Sequence, residues 1–165
     1  MKGLKWRAYS PATAKIAELV GANPVTIQVA ELSQAMTTGV MDSMISSSTT
    51  GVDSKIYEYI KKFYDNKAWI PKNAVIMNKK AFDALDEATR KALLAEAAKA
   101  EERGWKISEA KTNESLAGWT KNGGQVIQPS AELTKGLNEI GQKMLADYLK
   151  KAGKDGQVIV DALKK

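Results

Sequence analysis

The first 45 residues alternate short β-type runs with short helical runs, and this alternation restricts the fold more than any other feature. Strands are predicted at 4–9, 24–29 and 40–45 from their apolar, β-branched and aromatic residues. Helices are predicted between them, from Pro11 to Val20 and from Ala30 to Thr38, each followed by a glycine that can end it. Connections this short require right-handed parallel crossovers, so the sequence predicts an α/β layer.

The rest of the chain is predicted to be mainly helical. The expected elements are an amphipathic helix at 53–64, a strand at 74–77, a helix at 80–121, a strand at 125–128, a helix from Ser130 and a short helix at 154–165. The helix at 80–121 would exceed the diameter of a small domain, since each residue adds about 1.5 Å. We therefore expect it to span more than one lobe or to break near Gly104 or Gly118.

The chain contains no histidine and no cysteine, which disfavours most enzyme classes. Without these residues there is no imidazole base, no Ser-His or Cys-His pair, no disulfide and no thiolate or imidazole metal ligand. The carboxylates lie on predicted helix faces and have no partner at a useful spacing. We accordingly predict no catalytic residue, no metal site and no cofactor, and we expect that the protein is not an enzyme.

The net charge of +6 is spread along the chain. Between Lys79 and Lys121 acidic and basic residues interleave, a pattern typical of a solvated helix face, so we expect no nucleic-acid partner. No apolar run approaches the roughly 20 residues that cross a bilayer. Lys2, Lys5 and Arg7 interrupt the only candidate for a signal peptide. Either the protein is cytosolic or a leader is absent from this chain.

A run of serine and threonine follows the third predicted strand, from Ser46 to Gly51. Such a run is typical of a flexible linker. Its position favours a binding loop, because open α/β sheets bind ligands beyond the carboxyl ends of their strands. Both interpretations remain open on the sequence, and the binding loop is preferred.

Three stretches of sequence, in a fixed order and spacing, carry a resemblance to a known family. They are KGLKWR at 2–7, the run GANPV…EL…TGVMDS at 21–43, and the segment from Ile70-Pro71 to NKKAFDAL at 78–85. Together they resemble the second lobe of TRAP-transporter solute-binding proteins of the DctP type. Ser43 stands where that family usually has glycine. Each stretch is a weak signal by itself, whereas the ordered set extends from Lys2 to near the C-terminus.

The resemblance implies an α/β fold of the periplasmic-binding-protein type II, in which a parallel-rich sheet is flanked by helices and two lobes close around a ligand. Complete members are considerably longer, so the chain is expected to be a truncated C-terminal portion that lacks one wall of the cleft. The implied organisation is a βαβαβ ligand-binding core at 1–66, a crossover strand and segment toward the missing first lobe at 67–85, a long connecting helix at 86–121, and a return strand with C-terminal helices at 122–165.

The resemblance assigns a ligand contact to Arg7, which stands where the family has an arginine that holds the ligand's carboxylate. A planar guanidinium with paired donors matches a carboxylate in a way that lysine does not. The alternatives are that Arg7 is an exposed strand residue or pairs with an acid such as Glu31. Tyr9 shares a face with Arg7 in an ideal strand and is a second candidate, whereas Trp6 points the other way and is expected in the core.

Two further candidates follow from the same resemblance. Family members often have an asparagine near position 47, so Ser46, Ser47 and Ser48 are predicted to bind the ligand with shorter side chains. This favours a ligand other than sialic acid or a C4-dicarboxylate. Trp69 lies where the chain passes between lobes, and it either stacks on the ligand or simply packs.

The implied function is that of a periplasmic receptor for a small organic carboxylate. It would capture the ligand through Arg7, close by a hinge motion and deliver the ligand to the subunits of a TRAP membrane permease. A second hypothesis is a truncated fragment that does not bind ligand and only self-assembles. Surfaces exposed by truncation would then form a homodimer, for instance by exchange of helices or strands.

Overall fold

The computed structural model describes residues 1–69, 71 and 73–163. Its first part is a three-stranded sheet with the predicted βαβαβ order. The elements are β1 (Lys5–Ala8), α1 (Pro11–Leu19), β2 (Asn23–Thr26), α2 (Leu32–Thr37) and β3 (Ser43–Met44), with a 3-10 turn at Val29–Glu31 before α2. β1 lies between β2 and β3, and both pairings are parallel. The α/β fold with parallel strands is thereby confirmed.

Helix α1 begins at a capping box formed by Ser10 and Thr13. The Ser10 hydroxyl accepts a hydrogen bond from the Thr13 N–H at 3.2 Å, and Thr13 Oγ1 accepts one from the Ser10 N–H at 3.0 Å. Pro11 occupies the first turn, where its missing N–H costs nothing. The box fixes the point at which the chain leaves β1 and enters α1.

Replacing Ser10 by alanine should lower the free energy of unfolding by about 1 kcal/mol, because the Thr13 N–H loses its acceptor. Urea denaturation followed by circular dichroism measures the change. Ser108→Ala, in an exposed stretch of helix, is the matched control and should change stability by less than about 0.5 kcal/mol. Equal effects of the two substitutions would contradict the role of the capping box.

The helix predicted at 53–64 is wrong. The structure has α3 at Ser48–Asp53, a 3-10 turn at Ile56–Glu58 and β4 at Lys62–Tyr64. Lys55 adopts a left-handed conformation with a φ of 52°, which ends the helical path. β4 instead pairs in parallel with β5 (Gln125–Ile127) and forms a second sheet. A partner strand far along the chain therefore overrides the local helical pattern.

The strand predicted at 74–77 is also wrong, because residues 73–78 form neither a helix nor a strand. The side chains of Val75 and Ile76 are almost entirely exposed, at 105% and 88%. A strand needs a neighbour to satisfy its backbone N–H and C=O groups. None of the described strands pairs with this segment, and a short helix, α4 (Lys79–Asp83), follows it.

The long helix is unbroken but begins later than predicted. α5 extends over Glu87–Lys121 and is separated from α4 by a short break. Asp86 caps α5, and its carboxylate accepts hydrogen bonds from the N–H and the hydroxyl of Thr89, at 2.9 and 2.6 Å. These bonds hold the pKa of the Asp86 carboxyl below its usual value. Neither Gly104 nor Gly118 interrupts the helix.

The last element, α6 (Ala131–Leu163), contains two helical parts. Gly153, with a φ of 57° and a ψ of −138°, separates them. The second part corresponds to the short C-terminal helix predicted from the sequence. Among the described residues no helix is both long and apolar enough to cross a membrane.

Two hydrophobic clusters hold these elements together. The first contains Trp6, Ile16, Ala17 and Ala22, and the second contains Ile27, Leu32, Ala35, Met41, Ile56 and Trp119. The Trp119 ring fixes the end of α5 against α3, where Gly51 leaves no room for a Cβ atom beside the ring. By contrast, every residue of α5 from Lys91 to Glu114 is exposed. α5 is therefore anchored at one end and projects from the sheet over most of its length.

Candidate ligand-binding site

The central strand places Arg7 in the interior of the protein, where only 1% of the residue is exposed. Its Nε–H donates to the carbonyl oxygen of Ile27, just beyond β2, at 2.8 Å. Its Nη2 is buried and has no hydrogen-bond partner among the described residues. Buried donors are almost always satisfied in folded proteins, and leaving one unpaired costs about 1–3 kcal/mol. The Arg7 guanidinium thus offers an unused donor.

No carboxylate of the described chain forms an ion pair with Arg7. Glu31, the acid that could have neutralised it, accepts instead from the N–H of Gln28 at 3.2 Å. Burial lowers the pKa of the Arg7 guanidinium, and the neighbouring Tyr9 acts in the opposite direction. Arginine nevertheless stays protonated at neutral pH, so the site contains a buried cation. Both alternatives for Arg7, an exposed strand residue and a pair with Glu31, are contradicted by these contacts.

Tyr9 lies beside the cation. The Arg7 Cζ atom is 5.0 Å from the centre of the Tyr9 ring, which is the geometry of a cation–π contact. The strand alternates as predicted, because Trp6 lies in the hydrophobic cluster on the opposite face of β1. Arg7 is therefore oriented by the Ile27 carbonyl and by the face of Tyr9.

The three serines that follow β3 have different environments. Arg7 and Met44 are paired in register, and Ser46 lies two residues after Met44, beyond the end of β3, as Tyr9 lies two residues after Arg7, beyond the end of β1. Ser46 is partly exposed, and its side chain forms no hydrogen bond with other described residues. Ser47 is the N-cap of α3, and its hydroxyl accepts from the Thr50 N–H at 3.0 Å. Ser48 is buried in the first turn of α3.

The serine run is therefore largely helical rather than a flexible linker or an extended loop. The Ser46 hydroxyl, just beyond β3, has no hydrogen-bond partner among the described residues, whereas the Ser47 hydroxyl is engaged in capping. The prediction that all three serines bind the ligand stays untested, but their geometry ranks Ser46 first. The reason is that a hydroxyl already bonded within its own helix has less capacity for a ligand.

Trp69 packs against the cluster that contains Trp6, which is formed on the face of β1 opposite Arg7. The structure thus does not bring Trp69 together with Arg7 and Tyr9. Its indole Nε1, like that of Trp6, is buried without an acceptor among the described residues. Packing accounts for the position of Trp69, and its predicted contact with a ligand stays a prediction.

Two polar groups were not identified from the sequence. The Ile27 carbonyl orients Arg7, and no residue type signals a backbone acceptor in advance. Ser43 pairs in register with Trp6, and its hydroxyl is buried without a partner in the described chain. The only sign of Ser43 in the sequence was that it stands where the family usually has glycine. No group of three or more acidic, histidine or cysteine residues among those described could hold a metal ion.

Comparison with known proteins shows which family the chain resembles. Residues 1–151 match the family described as bacterial extracellular solute-binding protein, family 7. The chain is 64% identical to DctP6, an extracytoplasmic solute receptor of Bordetella pertussis that binds pyroglutamic acid, with a TM-score of 0.97 over 99% of this chain and 54% of the receptor. It is 40% identical to a TRAP solute-binding protein from an unidentified marine microbe, specific for pyroglutamate, with a TM-score of 0.96 over 99% and 54% of the two chains.

A curated relative, an uncharacterized protein of Haemophilus influenzae, is 30% identical over an alignment of 167 positions that covers 99% of this chain and 50% of that protein. The chain thus spans about half the length of the curated relatives and solved receptors that it matches. The proteins of this family are solute-binding receptors and not enzymes. The chain belongs to family 7 of the bacterial extracellular solute-binding proteins, the receptors of TRAP transporters.

Proposed function

We propose that this chain forms one wall of the carboxylate-binding site of an extracytoplasmic TRAP receptor, and that Arg7 holds the carboxylate. The observation that carries the proposal is the buried Nη2 of Arg7, which has no partner among the described residues. A carboxylate oxygen supplies the missing acceptor and also the missing negative charge, which requires the groups that cover Nη2 in this structure to move aside. Charge-assisted bonds of this kind are about twice as strong as bonds between neutral groups.

Pyroglutamate is the ligand that we favour. It carries one carboxylate for Arg7 and a lactam ring with one N–H donor and one C=O acceptor. Receptors that are 64% and 40% identical to this chain bind pyroglutamic acid or pyroglutamate. The Ser46 hydroxyl and the Tyr9 side chain lie at the same end of the sheet, so we assign them to the ring or to the second carboxylate oxygen. Ser47 and Ser48 then support this end of the sheet, and Trp69 completes the packing beneath it.

The whole receptor would work in the periplasm. Ligand would be enclosed between this wall and the remaining part of the receptor, whose solved relatives are about twice as long as this chain. Closure would then be recognised by the subunits of a TRAP membrane permease, which take up the ligand. No nucleotide, metal or other cofactor has a part in this scheme.

The proposal is tested by titrating L-pyroglutamate, up to tens of millimolar, into the ¹⁵N-labelled chain and recording NMR spectra that include the arginine Nε–H resonances. One wall of a cleft binds weakly, and NMR detects weak binding. We expect saturable shifts at Arg7, Tyr9 and Ser46. Two analogues separate the contribution of the carboxylate from that of the lactam. Cyclopentanecarboxylate, which lacks the lactam, should shift the Arg7 resonances. 2-Pyrrolidinone, which lacks the carboxylate, should not shift them.

Unchanged spectra throughout the pyroglutamate titration would overturn the proposal for this chain. The second candidate function, a self-assembling unit without ligand binding, would then be favoured. The exposed apolar residues of α5 support that alternative. Equal shifts with 2-pyrrolidinone and pyroglutamate would contradict the role of Arg7 while leaving binding itself intact.

A further inference from the structure

A side-chain hydrogen bond joins the helix that follows the serine run to the anchored end of α5. The hydroxyl oxygens of Thr49 and Ser115 lie 3.0 Å apart, although 66 positions separate the two residues in sequence. Only 6% of Ser115 is exposed, and Thr49 is partly buried. Two hydroxyls that are removed from water in this way depend on each other for a partner. The bond therefore connects the first turn of α3 to one defined point of α5.

Two further contacts hold α3 in register with α5. Gly51 has no room for a Cβ atom because the ring of Trp119 lies against it. One residue further along α3, Val52 packs on Gly118, where a Cβ atom would be 3.6 Å from the valine methyl groups. Close packing of this kind resists sliding, since a shift would separate one contact and crowd another. α3 is thus fixed on α5 at three successive places.

The position of α3 determines the position of Ser46. Ser46 lies between β3 and Ser47, which is the N-cap of α3. β3 contains only two residues and holds this segment through a short pairing with β1. A displacement of α3 would carry Ser47 with it and would move Ser46, because the two residues share one peptide unit. The Ser46 hydroxyl is therefore aimed mainly by the packing of α3 on α5.

We propose that Thr49 and Ser115 are positioning residues of the ligand site, whose hydrogen bond sets the place of the Ser46 hydroxyl against the lactam of pyroglutamate. The inference rests on the proposed function and narrows it, because Ser46 is given the lactam rather than the carboxylate. A hydroxyl can accept from the lactam N–H or donate to the lactam C=O. The guanidinium of Arg7 can only donate and serves the carboxylate. Thr49 and Ser115 act through Ser46 and do not touch the ligand.

Thr49→Val tests the inference, because it removes the hydroxyl and keeps a branched side chain of similar size. In the NMR titration the dissociation constant of pyroglutamate should rise at least about threefold, a change that the loss of one net hydrogen bond can produce. The dissociation constant of cyclopentanecarboxylate, which has no lactam, should stay the same. Ser115→Ala removes the bond from the other side and should reproduce both results. A role in stability alone would not distinguish the two ligands.

Two variants serve as controls. Thr49→Ser keeps the hydroxyl and should bind both ligands as the original chain does. Thr112→Val removes a hydroxyl that donates to the Ser108 carbonyl within α5, at 3.0 Å and away from α3, and it should also have no effect. Unchanged pyroglutamate affinity in Thr49→Val, or equal weakening of both ligands, would overturn the inference. A Thr49→Ser variant as weak as Thr49→Val would overturn it as well.

A measurement without ligand separates this inference from the proposed function. The Thr50 N–H donates to the Ser47 hydroxyl at 3.0 Å, so its exchange with water reports how firmly the start of α3 is held. Ser115→Ala should accelerate this exchange at least about threefold, and an unchanged rate would contradict the hold of the bond on α3. Faster exchange in a chain that binds no pyroglutamate would overturn the proposed function, and with it the role of Ser46, while the hold on α3 would stand.

Discussion

Replacing Arg7 by methionine is expected to abolish the binding of pyroglutamate without destabilising the ligand-free chain. The variant loses the bond from Nε to the Ile27 carbonyl, but it also removes a buried cation that has no acidic partner among the described residues. Exchanging a buried charged group for an apolar one of similar volume is often neutral or stabilising, by up to about 4 kcal/mol. We expect the free energy of unfolding to stay within about 1 kcal/mol of the original value or to rise above it.

Arg7→Lys separates the charge from the geometry of the guanidinium. It keeps the cation but loses the planar pair of donors, so pyroglutamate affinity should fall at least about tenfold and stability should also decrease. Arg90→Met, on α5, is the control for the loss of an arginine and should leave the ligand-induced NMR shifts as they are. Normal binding by the methionine variant would exclude Arg7 as the carboxylate contact. A large loss of stability in that variant would instead indicate a structural role for the buried charge.

Trp119→Ala is expected to produce the largest loss of stability, about 3–5 kcal/mol. Only 2% of Trp119 is exposed, and its ring centre lies 5.3 Å from that of Phe63 and 6.3 Å from that of Tyr57. The side chain also fills the space next to Gly51 and Gly124, which cannot expand to close a cavity. Since domains of this size are stable by about 5–15 kcal/mol, the variant should be close to unfolding.

Guanidinium denaturation followed by circular dichroism measures this loss. Trp105→Ala is the matched control, because it removes the same side chain from the same helix at a position that is 60% exposed. It should cost less than about 1 kcal/mol. Similar losses for the two variants would mean that Trp119 does not anchor α5, and that the end of the helix is held by its backbone alone.

The sheet and the helices beside it could be predicted from the sequence because their signals are local. Ser10 and Pro11 mark the start of α1, and the alternation of Trp6 and Arg7 assigns each side chain to the correct face of β1. The parallel arrangement followed from the short connections alone. Two of the three stretches that carry the family resemblance, at 2–7 and 21–43, lie in the same part of the chain.

The errors concern segments whose structure depends on distant partners. Residues 62–64 have a helical pattern but pair with β5, which lies about sixty residues further along the chain. Residues 74–77 have a strand pattern but find no strand to pair with in the described chain. Similarly, the buried position of Arg7 and its lack of a counter-charge depend on Ile27 and Glu31, whose contacts the sequence does not reveal.

The pairing of β4 with β5 has a consequence for the order of folding. It joins Lys62 to Gln125 and so closes a loop that contains α4 and α5. Closing a loop of this length has an entropic cost that must be met before the new contacts contribute, and non-local pairings of this kind slow folding. The sheet of β1, β2 and β3 uses contacts that are closer in sequence and can form first. We therefore expect the C-terminal end of α5 to become fixed by its packing only in a late step of folding, after the sheet that contains Arg7 has already formed.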